Sequence, residues 1–543
     1  DQEGLAASFR TMWFGPLIAV ASIIYLSISR PAALVVAGPI LGVWFASPLI
    51  AWWISRPLSR REARLTADQV LFLRKLSRRT WAFFETFVGP EDHWLPPDNY
   101  QEYRVATVAH RTSPTNMGLA LLANLSAYDF GYLSAGQLIL RTENAFHTMN
   151  SLERDRGHFY NWYDTQSLKP LTPKYISSVD SGNLAAHLLT LRMGLLALPD
   201  QKILGPQVFG GLSDTLKVLV DAAGETTPAL LAQIQKDAES VLNSPPTTLM
   251  AARQSLDQLA TSAAEVAARF DSVDPAPDSE ANWWARAFAR QCRDALDDLS
   301  FLISSPVSTI DEIPTLRGLA RLGNRRASER IEAIERLALQ SSEFSRVEYD
   351  FLFDKARHLL AIVYNVGERR LDSSYYDLLA SEARLCCFVA IAQRQLPQES
   401  WFSLGRLLTS VGGEPVLLSW SGSMFEYLMP LLVMPTYEHT LLDQTYKAAV
   451  DRQIEYGKQR GVPWGMSESG YNTVDIQFNY QYRAFGVPGL GLKRGLAEDL
   501  VIAPYASALA LMVAPEEACR NLQRLAAEGF AGKYGFYEAI DYT

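Results

Sequence analysis

The chain has 543 residues, 48% hydrophobic, 11% aromatic and 20% charged, with a net charge of −9 and a mean hydropathy of −0.03. That apolar mass excludes a disordered tail or a collagen-like fibre, and the acidic balance argues against a general nucleic-acid binder. Cys292, Cys386, Cys387 and Cys519 contain no CxxC, so neither a zinc site nor a disulfide framework is indicated, and the soluble part reads as reducing-compartment protein.

Residues 12–29 carry no charge, and after Arg30 and Pro31 residues 32–54 are again uncharged. At about 1.5 Å per residue each run reaches across about 30 Å of hydrocarbon, the first barely. Trp44, Trp52 and Trp53 suit an interfacial belt; Arg10 precedes the pair, and Arg56, Arg60, Arg61 and Arg64 follow it. The positive-inside rule then puts both ends in the cytoplasm. A cleaved signal peptide is disfavoured by the second run, although Pro39 and Pro48 leave open a broken or re-entrant element there. Residues 1–65 hold six arginines against Asp1, Glu3 and Glu62, so a +3 hairpin precedes a remainder of −12. A chain that begins at Asp1 rather than Met reads as an excerpt of something longer.

From Thr66 onward the apolar spacing is helical. Residues 70–88 form an amphipathic run, which prolines break at 90–100. Residues 112–131, 177–196 and 371–392 each open on Ser, Thr, Asp or Asn caps and run into an Ala/Leu-rich helix. A repeated cap-rich loop feeding an apolar helix is the pattern of an (α/α)6 toroid with its loops gathered at one end, although any large helical domain shares that periodicity. Residues 211–269 contain no Phe, Trp or Tyr, and the pattern stays helical and charged to about Arg346. Positions 211–346 therefore read as an inserted helical subdomain, its charges forming solvated faces or a docking surface. The expected layout is a membrane hairpin over 1–65, a first barrel part over 66–210, the insertion, and a second barrel part over 347–543. Strand-like or turn-rich stretches lie at 158–165, 415–423 and 485–495; the last holds GLGLKRG, which lacks phosphate-loop spacing.

Aromatic and carboxylate residues cluster in the loops. His158, Phe159, Tyr160, Trp162, Tyr163 and Asp164 form one group, and Glu426 lies among Trp420, Phe425 and Tyr427. Glu468 stands between two serines after Trp464, and Glu538 and Asp541 close the chain. Sugars present apolar faces and hydroxyl edges, so their sites combine flat rings with carboxylates. Glycosidic cleavage needs two carboxyl groups across the anomeric carbon. One such cluster alone suits a buried aromatic core; four shift the balance to a glycan groove. Asn116, Asp180, Asn183, Tyr376, Asp377 and Tyr471 are further groove candidates. His158 and His187 are either groove donors or satisfied structural histidines.

The stretches YYDLLASEAR (375–384), WSGSMFEYLMP (420–430), PWGMSESGYN (463–472), NYQYRAFGVPGLGLKRGL (479–496) and YGFYEAIDYT (534–543) resemble the middle region of bacterial cyclic β-1,2-glucan synthases, as do 111–132 and 157–168. The resemblance runs from about Thr66 to the end. It implies a glucoamylase-like (α/α)6 barrel, hence an all-α fold behind two transmembrane helices, that acts on linear β-1,2-glucan by retaining transglycosylation and needs no metal or organic cofactor. By motif, Glu382 resembles the general acid/base and Glu468 the nucleophile. Glu426 and Glu538 are reserve carboxylates that bind sugar or replace one of the pair. The resemblance further implies a glucosyltransferase module before this region, a phosphorylase-like module after it, and a bacterial inner-membrane location with the barrel in the cytoplasm.

Read from the residues alone, Glu382 lies in the first half of a helix begun by Asp372, Ser373 and Ser374, and pairing with Arg384 would suit it equally well. Glu468, in a Gly/Ser-flanked loop, favours a site role. The rival functions are an endo-β-1,2-glucanase, a non-catalytic glycan-guiding module and, least favoured, a membrane scaffold.

Overall fold

The computed structural model describes residues 9–54, 64–102, 106–224, 229–273, 279–303, 312–476 and 478–543. The chain divides into two compact units, Asp1–Arg64 and Leu65–Thr543. Arg56, Arg60 and Arg61, which the charge argument uses, lie outside the described residues.

In the first unit, α1 (Phe14–Ser29) and α2 (Leu34–Ile54) pack together through a 3-10 turn at Pro31–Ala33. Pro39 and Pro48 lie inside α2, which continues through both, so the broken element left open above does not form. Large apolar side chains face outward: Ile28, Val35 and Val36 are 82%, 81% and 78% exposed. Such a surface suits hydrocarbon rather than water as solvent. The hydroxyls of Ser27, Ser29 and Ser47 bond back to carbonyls of their own helices at 2.7–2.8 Å, so none is left unsatisfied. Only the Pro31–Trp53 stretch is long and apolar enough, among the described residues, to cross a membrane; α1, with 16 residues, falls short of about 30 Å.

The second unit opens with α3 (Ala67–Phe87), capped by a reciprocal pair in which Gln69 N donates to Thr66 Oγ1 at 3.2 Å and Thr66 N to Gln69 Oε1 at 3.0 Å. Ser113, Ser134 and Ser177 cap α4 (Pro114–Asp129), α5 (Ala135–Ser151) and α6 (Ser178–Ala197) in the same way. Helix α6 is buried along most of its length and packs on α4. Glycines make that closeness possible: a Cβ on Gly118 of α4 would lie 2.4 Å from His187 Nδ1, and one on Gly182 of α6 would lie 2.2 Å from Cys386 Cβ.

Next come α7 (Pro206–Ala223), α8 (Ala229–Asn243), α9 (Leu249–Val273) and α10 (Glu280–Leu302). In α8 and α9 the buried side chains are aliphatic, such as Leu231, Ile234, Leu256 and Val266, which is how this region builds a core without aromatic residues. The group seats on α3 through ion pairs Arg74–Asp214 (2.8 Å), Lys75–Asp221 (2.7 Å) and Arg79–Glu280 (2.7 Å). Between them the buried Arg78 guanidinium meets Thr215 Oγ1 at 2.6 Å, Glu85 at 2.9 Å and the Trp284 ring at 4.9 Å. A buried cation is tolerable here because its partners replace water.

Helices α11 (Leu316–Arg321) and α12 (Arg325–Phe344) follow, α12 packing on α6. The ring is completed by α13 (Arg384–Ala392), α14 (Glu399–Ser403), α15 (Met424–Leu428), α16 (Leu441–Arg460), α17 (Pro504–Ala510) and α18 (Pro515–Ala527). Short antiparallel pairs stitch the connecting loops. The fold is the expected helical toroid. One expectation is corrected: the stretch from residue 371 is not helical until Arg384. Leu371 pairs in a strand with Tyr364, and the peptide from Asp372 to Ala383 runs as turns and bends. Asp372 spends its carboxylate on Ser374 N at 2.6 Å, a turn that competes with helix initiation.

Candidate active site

Glu382 stands in the turn before α13, at the floor of a cleft of about 650 Å3 lined by Arg357, Tyr375, Tyr376, Asp377, Trp420, Ser421, Glu426, Glu468 and their neighbours. Ser381 Oγ donates to its carboxylate at 3.1 Å. A helix N-terminus favours a charged carboxylate, but desolvation and the nearby charges of Glu468 and Glu426 outweigh that here and push Glu382 up to about 8. Its suggested partner Arg384 is fully buried and points elsewhere. Arg384 donates to the carbonyls of Ser381 (2.8 Å), Glu426 (2.8 Å) and Tyr427 (2.5 Å).

Glu426 is the second carboxylate of the cleft. Ser423 caps α15, and Glu426, three residues on, closes the reciprocal capping pair. Its oxygens also accept from Ser419 Oγ (3.0 Å), Trp420 N (3.1 Å), Ser421 N (3.1 Å) and Ser421 Oγ (2.5 Å). A carboxylate with this many donors is held in one orientation, a poor arrangement for attack but a good one for a fixed charge beside two others.

Glu468 projects from the loop before the strand Ser469–Val474 and is half-buried between buried Ser467 and Ser469. Desolvation, then the charge of Glu426, pushes it up to about 7, while the hydroxyl of Tyr482, donating to Oε2 at 3.2 Å, acts in the opposite sense. Tyr505 Oη donates to the Glu468 carbonyl at 2.8 Å and lies the same distance from Ser467 Oγ. Tyr376 lines the cleft with Glu382 and Glu468, and its phenol is raised by burial and then by the charges of Glu382, Asp180 and Glu468. Two carboxyl groups displaced upward by different neighbours in one cleft can divide proton donation and nucleophilic attack between them.

Asp180, at the start of α6, accepts from Thr115 Oγ1 at 2.6 Å; Asn161, with its amide nitrogen turned toward Asp180, donates to it at 2.9 Å. Asn183 donates to the same threonine at 3.2 Å, and Asn116 to Asp98 at 3.3 Å. The Arg111 guanidinium covers the Trp162 ring at 5.2 Å. These residues form a polar network around the start of α6; none of them lines the cleft, and the charge of Asp180 is felt at the Tyr376 phenol. Glu538 accepts from Gly470 N at 2.7 Å, and desolvation raises its carboxyl. Tyr471 sets its ring edge-on to Phe485 at 5.3 Å, packed against the core. Trp420 keeps 45% of its surface and lines the cleft.

Two expected groove residues lie elsewhere. His158 is fully buried, and its ring nitrogens are engaged by Ser181 Oγ and the Glu348 carbonyl, both at 2.7 Å; burial lowers it to about 4. Trp464 is 7% exposed, packed against Gly457, with its backbone held by Asn521. Neither aromatic group reaches the cleft. Conversely, Tyr482, Tyr505 and Arg357 were not singled out in the sequence, and Arg384 was named there only as a partner for Glu382. Tyr480 and Tyr482 alternate in NYQYR, a visible signal; the others gain their roles only through folding. Among the described residues no cluster of His, Cys, Asp and Glu has the geometry to hold a metal ion.

A helical toroid with an acidic, aromatic-walled cleft at its loop end is the architecture of glucoamylase-like glycoside hydrolases, and residues 374–543 match the Glycoamylase family of glucoamylases. The chain is similar to a cyclic β-1,2-glucan synthase: it is 37% identical to the cyclic β-(1,2)-glucan synthase NdvB of Rhizobium meliloti (strain 1021) over 98% of its own length. It spans 19% of that relative. The fold is shared with an endo-β-1,2-glucanase from Talaromyces funiculosus, solved with sophorose (TM-score 0.50, 12% identity, 88% of this chain and 81% of that one) and, as a variant, with β-1,2-glucan (TM-score 0.50, 11% identity, the same coverage).

Proposed function

We propose that this chain is a retaining transglycosylase that cuts an internal bond of linear β-1,2-glucan and closes the released chain into a ring. The observation that carries the reading is the Glu382–Glu468 pair, both raised, in one cleft around Tyr376. The similarity to a cyclic β-1,2-glucan synthase supports the substrate.

Glu468 attacks the anomeric carbon while Glu382 gives its proton to the departing oxygen, directly or through a substrate hydroxyl, forming a glycosyl ester. Glu382, now ionised, then takes the proton of a sugar 2-hydroxyl from the same chain. That oxygen displaces Glu468 and restores the β configuration. Both groups are displaced upward by desolvation and neighbouring carboxylates, so the pair can retain one proton for Glu382 to donate while Glu468 begins ionised. Asp180, Asn183, Asn116, Trp162, Trp420, Asp377, Tyr376, Tyr471, Glu426 and Glu538 serve as substrate-binding or orienting groups around them.

The apolar helices α1 and α2 would hold the barrel at the cytoplasmic face of a bacterial inner membrane. Glucosyltransferase and phosphorylase-like modules of the same longer chain would supply and trim the glucan. The 211–346 helices would act as an insertion in the barrel.

Incubation with linear β-1,2-glucan followed by mass spectrometry tests the reading: cyclic products are lighter by one water than linear products of equal length. A second reading, hydrolysis, draws support from the fold shared with an endo-β-1,2-glucanase. It gives only linear products. A glycan-guiding module gives no new product at all.

A further inference from the structure

A strand pair begins directly after Glu468, a lining residue of the cleft. The next residues form a strand, Ser469–Val474, paired antiparallel with Tyr480–Arg483 so that Gly470 faces Tyr482 and Val474 faces Tyr480. Alternation along the second strand puts both tyrosines on one face of the pair, about 7 Å apart. Tyr482 is 63% exposed and Tyr480 39%. The pair is braced at both ends. Gly470 N donates to Glu538 (2.7 Å), Asn472 N to Asp541 (3.3 Å), Gln101 Nε2 to the Phe478 carbonyl (3.1 Å) and Tyr480 N to Gln101 Oε1 (3.4 Å). Tyrosine rings this exposed on a braced strand pair suit a ligand face rather than a core.

The surrounding chemistry restricts that ligand. Glu468, Glu538 and Asp541 border the platform, and the nearby guanidinium of Arg483 is occupied by Asp499 at 3.1 Å. An anion is repelled there. A neutral sugar chain suits it, laying ring faces on the tyrosines and offering hydroxyl protons to the carboxylates. The same Tyr482 that presents its ring to solvent donates to Glu468 Oε2 at 3.2 Å, so one side chain touches both places.

We propose that Tyr480 and Tyr482 form the platform for the acceptor end of the glucan, and that Tyr482 is a positioning residue for Glu468 that makes a seated sugar, rather than water, the group completing the second step. The inference rests on the function proposed above. In that step the acceptor oxygen bonds to the anomeric carbon and its proton passes to Glu382. The bond from that carbon to Glu468 breaks, and its electron pair returns to the Glu468 carboxylate. With a sugar seated, transfer follows. With the platform empty, water reaches the carbon and the product is linear.

The test uses the full chain and linear β-1,2-glucan, with kinetics across pH and product masses for wild type, Tyr482→Phe, Tyr482→Ala and Tyr480→Ala. Losing a stacked ring raises KM and lowers the ratio of cyclic to linear product by about two- to tenfold in both alanine variants. Tyr482→Phe keeps the ring but loses the donor that favours the ionised carboxylate. It holds the product ratio and moves the acid limb of kcat/KM to higher pH, which a merely structural tyrosine would not do. Unchanged KM and product ratio in both alanine variants overturn the platform. An unmoved acid limb in Tyr482→Phe overturns the positioning role. A wild-type chain that leaves the glucan unchanged overturns the functional reading itself; active wild type with unaltered variants overturns this inference alone.

Discussion

Arg384 donates through Nη1 to the carbonyl oxygen of Glu426 at 2.8 Å, and that bond fastens the turn carrying Glu382 to the helix carrying Glu426. Two more donations, to Ser381 and Tyr427, make the buried guanidinium a rivet between two segments about 40 residues apart in sequence, a spacing of 42 residues for the Glu426 bond itself. Replacing Arg384 with Met keeps apolar bulk but strands three buried carbonyls. The expected loss is about 2–4 kcal/mol of stability, seen as a lowered unfolding midpoint, with kcat/KM on β-1,2-glucan falling as Glu382 loses its setting.

The carboxyl pair divides the chemistry unequally, and isosteric variants separate the roles. Glu382→Gln cannot donate a proton and should lower kcat by about 10²–10⁴-fold on an unactivated glucan. With an activated aryl leaving group, which needs no proton, the first step should recover. Glu468→Gln should abolish turnover on both substrates. Full cyclising activity in Glu468→Gln beside an inactive Glu382→Gln would show that the nucleophile lies elsewhere.

Activity should follow a bell in pH. Its acid limb reports ionisation of Glu468, near 7, and its basic limb loss of the Glu382 proton, near 8, so the optimum lies between them. Glu426→Gln removes a charge that raises both groups, and both limbs should move to lower pH. A profile that stays in place would sever Glu426 from the pair.

Stability carries the same signature with its own sign. Both carboxyls are raised on folding, so the native state holds protons that the unfolded chain releases above about 4.5, the ordinary glutamate value. Their contribution is complete below that pH and is lost as pH rises through about 7 and 8. The unfolding midpoint should therefore fall between pH 5 and 9 through these groups, and Glu382→Gln, a permanent mimic of the protonated form, should flatten the fall. Paired melts of wild type and variant across that range measure it.

Helix contacts at the barrel wall give a packing test. A Cβ at Gly182 would lie 2.2 Å from Cys386 Cβ and 2.5 Å from its Cα, where backbone must move. Gly182→Ala should cost about 1–3 kcal/mol by overpacking, read from denaturant midpoints. Gly224 meets nothing within 4 Å, but its positive φ of 59° makes it a poor neutral control. Gly42 in α2 also meets nothing within 4 Å, has no positive φ, and is the better one.

Much of the fold was legible because local signals agreed. Ser113 and Ser177 followed by Ala/Leu-rich runs marked helix starts that the structure keeps, since a cap and an apolar stripe act within one or two turns. The run after Asp372 carried the same signs and failed. There the Asp372 carboxylate accepts from Ser374 N, and after the strand residue Leu371 the chain runs as turns and bends until Arg384. The site was less legible. His158 and Trp464 sit in motifs as aromatic as that of Trp420, and no local feature tells a ring turned inward from one facing the cleft.

The sequence by itself determined the apolar hairpin, the helical periodicity and the carboxylate motifs, since all three depend on residue type and near spacing. Only the tertiary structure decided that Arg384 serves three carbonyls rather than Glu382, that Glu426 is saturated by serine and backbone donors, and that Tyr482 reaches Glu468 across a strand pair. Those outcomes depend on which distant groups share a desolvated space. In that space the charge of Glu426 and the loss of water raise Glu382 and Glu468 together, an effect that neither motif contains alone.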